Sequence, residues 1–415
     1  MHRLLTVGMC LFFCYAANGV LAQSLTNPTF DTDVSGWSAA WECTVAWDAL
    51  DADADPGSGS ALVTNQRDTA NDSTGLRQCL EGLIGDATYR FSTDILVPAG
   101  QAETGHAHVL VQWYDDYCSG NQSGDPVSSL GIETSTPGVW YTDRGTFVAP
   151  ADTQFARIRL SIWKDAGTGT LDSHFDDVSF SLAAHHLSFV PAAGYAHGDA
   201  GSFWVTDLDV NNPNDETMTY ELWWLPRGED NYEPATSEPF ILEAGRSRRH
   251  ENVLGEVFGL DPNDAPFGAI AIASDGAGAL AMARVFNQPG AGGAGTFGQS
   301  MPSLPAEAMI PQSEKQRILF MSEDDDLRAN IGCQNGTGNY LQVMIESFDA
   351  SGRSYGLQTM DLPPFSNNQI NRIFRDWAPM SGYVDVWSDY FGAAFYCYGS
   401  VLDNISSDPT TVLPQ

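Results

Sequence analysis

The stretch His106-Ala-His-Val-Leu-Val-Gln-Trp-Tyr114 decides the fold class of this 415-residue chain. Polar and apolar side chains alternate along it, so that Val109, Val111 and Trp113 share one side of an extended backbone. An alternation with a period of two residues is typical of a β-strand that buries one face and leaves the other open. The stretch therefore predicts a strand whose apolar face packs against a second layer.

The same alternation recurs elsewhere in the first half of the chain, in residues 89–97, 156–163 and 175–182. Clusters of Gly, Pro, Asn and Asp separate these segments, and no amphipathic helix lies between them. Several short strands divided by turn residues indicate a sandwich or jelly roll. We predict one jelly-roll domain over residues 23–184.

The remainder of the chain contains an internal duplication. Residues 206–213 and 329–336 share a pattern, and each segment is followed by an apolar strand. An offset of about 120 residues is too long for a solenoid repeat and fits two tandem domains. We predict an all-β chain with two duplicated β-sandwich domains after the jelly roll, residues 185–310 and 311–415. Each copy is expected to contain one short helix, at residues 249–258 and 367–377 respectively.

The first 22 residues have the pattern of a secretory signal. Arg3 provides a positive charge, residues 4–15 form an apolar run, and Val20-Leu-Ala22 resembles a cleavage site. The apolar run is too short to span a bilayer. The sequence therefore predicts a secreted, extracellular protein without membrane insertion.

The charge balance narrows the range of partners. The net charge is −34, from 53 acidic against 19 basic residues. So acidic a surface repels nucleic acid backbones and anionic lipid headgroups, which argues against both as partners. We leave the oligomeric state open.

Five cysteines remain once the predicted signal is removed, and export favours disulfide formation. We expect Cys79 to pair with Cys118 and Cys333 with Cys397, which leaves Cys43 unpaired. Each bridge would close a long loop and so restrict the unfolded chain.

The predicted strands also indicate a candidate binding surface on their polar sides. Two large aromatic side chains, Trp163 and Tyr114, fall on those sides rather than with the apolar residues. Flat rings beside hydrogen-bonding groups suit a sugar, whose C–H faces pack on aromatic rings. We expect a single open face with polysaccharide as the partner, and a solvated sheet face is the alternative. Its members would be Trp163, Tyr114, Arg159, Gln112, Arg90 and Asp94.

Four motifs give the first domain a resemblance to the CenC-like carbohydrate-binding modules of bacterial cellulases and xylanases. In chain order they are Asn27-Pro-Thr-Phe-Asp31 with Gly36-Trp37, Ser58-Gly-Ser60, Gly85-Asp-Ala-Thr-Tyr-Arg-Phe-Ser92 and Phe175-Asp-Asp-Val178. The resemblance implies a jelly roll, carbohydrate binding and a structural Ca²⁺ ion between the first and last strands. The matching positions for that ion are Asp31 and either Asp176 or Asp177, with Asp31 replacing the family's usual Glu.

The duplicated half resembles tandem β-sandwich domains of secreted bacterial proteins that have no established activity. The residues that carry this resemblance are Ser202-Phe-Trp-Val-Thr-Asp-Leu208, Asn211-Asn-Pro213, Val401-Leu-Asp-Asn404 and Ser407-Asp-Pro409. It implies a fold and a compartment, without a function.

No catalytic motif is evident in the sequence, which contains neither a Gly-x-Ser-x-Gly elbow nor a His-Glu-x-x-His helix. We therefore expect a non-catalytic carbohydrate-binding accessory protein. The alternatives are a structural or adhesive surface protein without glycan binding, and a hydrolase or lyase whose carboxylates the sequence does not reveal.

Overall fold

The computed structural model describes residues 25–129, 131–133, 138–167, 169–198, 202–287, 295–375 and 381–415. The predicted export signal lies outside the described residues. The described chain is nearly all β, as predicted, with thirty-one strands arranged in six antiparallel sheets. No helix in these ranges is long and apolar enough to cross a membrane.

The first sandwich contains eleven strands. They are β1 Ser38–Ala39, β2 Cys43–Asp48, β3 Ser60–Asn65, β4 Asp72–Glu81, β5 Thr88–Leu96, β6 Gly105–Tyr114, β7 Val127–Ser128, β8 Ile132–Glu133, β9 Tyr141–Val148, β10 Phe155–Lys164 and β11 Leu171–Ala184. One sheet has the order β1-β4-β10-β6-β7, with β8 also on β6, and the other has the order β2-β3-β11-β5-β9.

The alternation quoted above decides what lies between these two sheets. Val109, Val111 and Trp113 of β6 are each at most 1% exposed and belong to the core of the first sandwich. Ile158 and Leu160 of β10 join them from the neighbouring strand. The opposite side of β4, β10 and β6 therefore faces away from the core.

The second sandwich follows directly. Its strands are β12 His186–Gly194, β13 Ala196–His197, β14 Phe203–Asn211, β15 Met218–Pro226, β16 Ala235–Thr236, β17 Phe240–Leu242, β18 Ser247–His250, β19 Phe267–Ser274, β20 Leu280–Asn287, β21 Phe297–Pro302 and β22 Leu304–Pro305. A single turn of α-helix, α1 Val253–Glu256, follows β18 inside the segment predicted to be helical.

The third sandwich completes the chain. Its strands are β23 Ile310–Pro311, β24 Lys315–Met321, β25 Leu327–Asn335, β26 Leu341–Asp349, β27 Ser354–Leu362, β28 Asn367–Ile370, β29 Gly382–Trp387, β30 Ala394–Asp403 and β31 Pro409–Val412.

The duplication is visible in the strand pairing. In the second sandwich β14 pairs with β18 and β20, and β20 pairs with β21. In the third sandwich β25 pairs with β28 and β30, and β30 pairs with β31. The opposing sheets also agree, since β15-β19-β12 corresponds to β26-β29-β24.

The helix predicted at residues 367–377 is wrong. Asn367–Ile370 form β28, which pairs with β25, and turns follow over residues 371–374. Pairing with the strand that contains Cys333 provides stable partners for the backbone hydrogen-bonding groups of these residues. A short isolated helix would not, because such helices are marginally stable without tertiary support. Residues 376–380 lie outside the described ranges.

Both predicted disulfides are present, Cys79–Cys118 and Cys333–Cys397, and Cys43 is free. The second bridge joins residues that are direct register partners on β25 and β30. In the other copy, the equivalent partners on β14 and β20 are Val210, which is buried, and Ala281, which is partly buried.

The sandwiches touch one another through specific contacts. Tyr232 of the second sandwich donates a hydrogen bond of 2.6 Å from its hydroxyl to the carbonyl of Phe91 in the first. The backbone N–H of Gly338 in the third sandwich donates to Thr146 Oγ1 of the first, at 2.7 Å. Phe365 of the third sandwich is buried in the core of the second.

Candidate functional site

The candidate site is the side of sheet β1-β4-β10-β6-β7 that faces away from the core, which we call the outer face. Strand register decides its composition, because residues directly opposite one another share a side. Its members on β4, β10 and β6 are Ser73, Gly75, Arg77, Cys79, Glu81, Phe155, Arg157, Arg159, Ser161, Trp163, His106, His108, Leu110, Gln112 and Tyr114.

The three strands arrange these side chains in rows across the sheet. Trp163 lies between Ser73 and His106, one row from the end. Arg159 lies between Arg77 and Leu110 near the middle. An aromatic ring therefore stands at one end of the outer face and charged groups stand at its centre.

A loop covers the other end of the outer face. Cys118 follows β6, and its disulfide to Cys79 fastens this loop across β10 onto β4. Arg157 Nη2 donates a hydrogen bond to the Cys118 carbonyl oxygen. The Arg157 guanidinium also lies 5.1 Å from the centre of the Tyr114 ring.

Tyr114 is consequently not part of an open surface, and its predicted exposure is wrong. It is only 3% exposed, because the Cys118 loop and Arg157 cover it. Trp163 on the same sheet is half-buried and keeps part of its ring accessible. Arg159 and Gln112 also lie on the outer face, as partly buried side chains.

The aromatic end of the outer face is built from stacked rings. The His106 ring lies 5.9 Å from the Trp163 ring at an interplanar angle of 21°, which is a stacked arrangement. His108 lies 4.8 Å from His106 on the same strand. Burial, together with the neighbouring charges of His106 and Arg159, lowers the pKa of His108 to about 3, so its imidazole is neutral at physiological pH.

Two buried nitrogen atoms on the outer face lack a hydrogen-bond partner among the described residues. They are His108 Nδ1 and Arg159 Nε. The rest of the Arg159 guanidinium is held in place, since its Nη2 donates to Ser73 Oγ at 2.8 Å. A buried polar atom without a partner costs about 1–3 kcal/mol, so each such atom in a native structure calls for an explanation.

Two predicted members, Arg90 and Asp94, lie elsewhere, and the prediction of one continuous face with them is wrong. Both are on β5, which belongs to the opposite sheet of the sandwich. The Arg90 guanidinium stacks 5.0 Å from the Trp223 ring of the second sandwich. Asp94 accepts a hydrogen bond of 2.5 Å from Thr142 Oγ1.

The sequence reasoning missed the contribution of β4 to this face, including Arg77. An alternating pattern is present in this strand, because Thr74, Leu76 and Leu80 all point toward the core. It was interrupted by Gln78, a polar residue whose amide binds the backbone of Thr26 through both its oxygen and its nitrogen.

Of the acids expected to hold Ca²⁺, Asp176 and Asp177 lie in the middle of β11, where its register with β5 shifts. The Asp176 carboxylate is 1% exposed and accepts hydrogen bonds from the backbone N–H groups of Ala52 and Asp177. Burial raises the pKa of Asp176 to about 7. Asp31 accepts a hydrogen bond of 3.2 Å from Ser58 Oγ.

These acids repel one another without forming a coordination shell. Burial raises the pKa of Asp177, and the charges of Asp53, Asp94 and other nearby aspartates raise it further. Within the described residues no three acidic, histidine or cysteine side chains converge closely enough to hold a metal ion. A Ca²⁺ ion would therefore have to draw Asp31 and Asp177 together around it.

A separate cavity of about 350 Å³ lies between the second and third sandwiches. Arg227 on its wall lies 5.1 Å over the Phe267 ring and donates from Nε to Asn367 Oδ1 at 3.4 Å. Other lining residues are Trp204, Arg328, Asn330 and Tyr398.

Comparison with known proteins found no matching family model and no matching curated protein. Several solved structures show similarity. The tandem CBM22-1–CBM22-2 domain of Paenibacillus barcinonensis Xyn10C is 12% identical over 95% of this chain and 98% of that one, with a TM-score of 0.33. The C-terminal family 22 carbohydrate-binding module of Clostridium thermocellum Xyn10B is 21% identical over 40% of this chain and 96% of that one, with a TM-score of 0.30.

The CBM22-1–GH10 modules of the same Clostridium thermocellum xylanase, solved with xylohexaose, are 17% identical. The match covers 38% of this chain and 28% of that one, with a TM-score of 0.29, so this chain spans about a quarter of that protein's length. At these identities and TM-scores the similarity carries no functional assignment, and the chain's own geometry has to provide one.

Proposed function

We propose that this protein is a secreted, non-catalytic carbohydrate-binding protein whose first sandwich binds glycan on the outer face. The observation that carries the proposal is the partly exposed ring of Trp163, which stacks on His106 and shares the outer face with the partly buried side chains of Arg159 and Gln112. A sugar offers hydroxyl groups that both donate and accept, so it can pair with a guanidinium and with an amide. Its C–H face can at the same time pack against the Trp163 ring.

His108 lies beneath this surface, since it is buried, and its imidazole is neutral. Gln112, on the same strand, adds an amide whose oxygen accepts a hydrogen bond of 3.4 Å from Arg157 Nη1. The outer face therefore offers donors, an acceptor and one aromatic surface within a single sheet.

Substitution of the aromatic residue tests the proposal. The full chain is screened against a panel of neutral and charged polysaccharides, and the affinity for the best ligand is measured for the wild type and for Trp163→Ala. We expect the variant to bind about tenfold more weakly, which corresponds to the loss of about 1.4 kcal/mol of stacking. Phe391→Ala removes an exposed aromatic side chain from the third sandwich and serves as the matched control.

An unchanged affinity for Trp163→Ala, or no binding to any member of the panel, would rule out the outer face as a glycan site. Folding of each variant is checked by its melting temperature, so that a lost site can be distinguished from a lost fold.

A structural or adhesive role is the second candidate. It is favoured by the contacts between sandwiches, in particular Phe365 buried in a neighbouring core and the hydrogen bond from Tyr232 to Phe91. Such contacts suit a spacer that must keep its shape. This role predicts no retention on any polysaccharide and a protein partner instead, so the same panel separates the two candidates.

A further inference from the structure

The charges on the outer face differ in sign from those of the chain as a whole. The chain has 53 acidic and 19 basic residues. Yet three arginines, Arg77, Arg157 and Arg159, lie side by side on this one surface. The local charge is therefore positive on a strongly negative molecule.

The geometry places these three arginines close together. Arg77 and Arg159 are direct register partners on β4 and β10, and Arg157 is two residues from Arg159 on the same side of β10. Neighbouring strands are about 5 Å apart, and residues i and i+2 are about 7 Å apart. Like charges directly opposite one another destabilise a sheet, so folding alone does not favour this arrangement.

Within the part of the chain that the structure describes, none of the three arginines forms an ion pair, and Arg77 has no side-chain hydrogen bond. The charge of Asp72 acts on Arg159 without pairing with it and offsets part of the repulsion. Asp72, at the start of β4, is paired with Arg67 at 2.8 Å instead. Glu81, at the far end of β4, is exposed and lies on the outer face in the row next to Arg157, without forming an ion pair with it.

The repulsion affects the pKa of Arg159. Burial, followed by the charges of Arg157 and Arg77, lowers the pKa of its guanidinium, and the charge of Asp72 raises it by a smaller amount. Arginine nevertheless stays protonated in proteins, so the repulsion persists at neutral pH. A bound anion would relieve it.

We propose that the glycan bound on the outer face carries carboxylate groups, as a uronic acid does, and that Arg77 and Arg159 bind them. This inference rests on the proposed function above and adds the chemical class of the sugar. The planar guanidinium matches a carboxylate with two parallel hydrogen bonds. Trp163 lies four residues from Arg159 along β10, and the sugar ring would pack there.

The net charge of the chain sets the conditions for the test. A net charge of −34 repels a polyanion at long range. At 0.15 M ionic strength the Debye length is about 8 Å, so this repulsion is largely screened while direct contacts between arginine and carboxylate remain. Binding is therefore measured at 0.15 M salt with a chelator present to exclude bridging by divalent cations, and the melting temperature in the same buffer checks that the chain stays folded.

The probes are polygalacturonate and the same polymer with its carboxylates converted to methyl esters, which differ in charge and share a backbone. We expect the full chain to bind polygalacturonate at least about tenfold more tightly than the ester. Arg77→Gln is expected to weaken binding of polygalacturonate about tenfold, and Arg77→Glu to abolish it. Arg246→Gln removes an exposed arginine of the second sandwich and is expected to change nothing.

Each other outcome contradicts the inference in a recognisable way. Equal binding of the two polymers, or of a neutral glycan alone, would overturn the carboxylate assignment and leave the proposed function intact. Binding of polygalacturonate that is unaffected by Arg77→Glu would place the carboxylate elsewhere. Binding of dextran sulfate but not polygalacturonate would transfer the assignment to sulfate. If no polysaccharide binds, the inference and the proposed function both fail.

Discussion

At the scale of single residues, Trp163 and Tyr114 show what alternation can and cannot predict. The period of two residues correctly places both on the polar side of their strands. Exposure, however, depends on what the chain lays over that side. Tyr114 is covered by a loop that a disulfide fastens there, and local pattern carries no information about such a contact.

His108 and Arg159 also show that alternation does not predict how deeply a side chain is buried. The sequence shows that both point away from the core, but a lone polar residue on a strand is usually solvated. Only the structure shows that His108 is buried while Arg159 is partly buried, and that His108 Nδ1 and Arg159 Nε have no partner among the described residues. The candidate site could therefore be outlined from the sequence, whereas the burial of its members could not.

Asp143 on β9 provides a residue-scale prediction of pH dependence. Burial raises the pKa of its carboxyl to about 6, although Ser129 donates a hydrogen bond to it. Between pH 4 and 6 the folded chain therefore binds more protons at this site than the unfolded chain, so this group's contribution to stability falls as the pH rises. The free energy of unfolding of the wild type is expected to decrease between pH 5 and pH 7.5. We expect this decrease to be about 1 kcal/mol smaller in Asp143→Asn.

The measurement is urea unfolding of both proteins at these two pH values. Asparagine keeps the shape and can still accept the hydrogen bond from Ser129, so the comparison isolates the ionisation. Equal losses of stability in the two proteins would show that Asp143 does not titrate as described.

At the scale of elements, the predicted strands are present and their partners differ in part from expectation. The segment through Arg90 and Asp94 is a strand, β5, with the expected alternation. It belongs to the other sheet, because alternation assigns a side to each residue without assigning a sheet to each strand. The helix predicted over residues 367–370 is wrong for a related reason. These residues form a strand because they pair with β25, which is distant in sequence.

The disulfide between β25 and β30 can be tested against the other copy of the repeat. We expect Cys333→Val with Cys397→Ala, which reproduces the Val210 and Ala281 pair, to keep the fold and lose up to about 4 kcal/mol of stability. This is the chain-entropy value for a separation of 64 residues. Chemical unfolding of the third sandwich measures the loss, and a double variant as stable as the wild type would show that the bridge adds nothing beyond packing.

The Ca²⁺ site stays a prediction, and it involves the middle of β11, where its register with β5 shifts, and the segment around Asp31. An ion would relieve the repulsion among the aspartates near Asp177. If it binds only the folded chain, it stabilises that chain by about 2.7 kcal/mol at a hundredfold excess over its dissociation constant. We expect the melting temperature of the full chain to be higher with Ca²⁺ than with chelator, and Asp177→Asn to remove most of the difference. If the melting temperature is the same with Ca²⁺ and with chelator, these acids are ordinary loop and strand residues that bind no ion.

At the scale of the whole molecule, three sandwiches contact one another and one of them presents an arginine cluster. The contacts of Arg90 with Trp223 and of Tyr232 with Phe91 occupy the β5 sheet of the first sandwich. Its other sheet, which carries the outer face, makes no such contact among the described residues. The assembly therefore leaves open the surface that we assign to glycan.

The most direct test of the central claim is a crystal structure of the full chain with the oligosaccharide that binds it most tightly in the panel. We expect a sugar ring packed on Trp163, with its acidic group against Arg77 and Arg159. A sugar bound instead in the cavity beside Arg227, with the outer face empty, would contradict it.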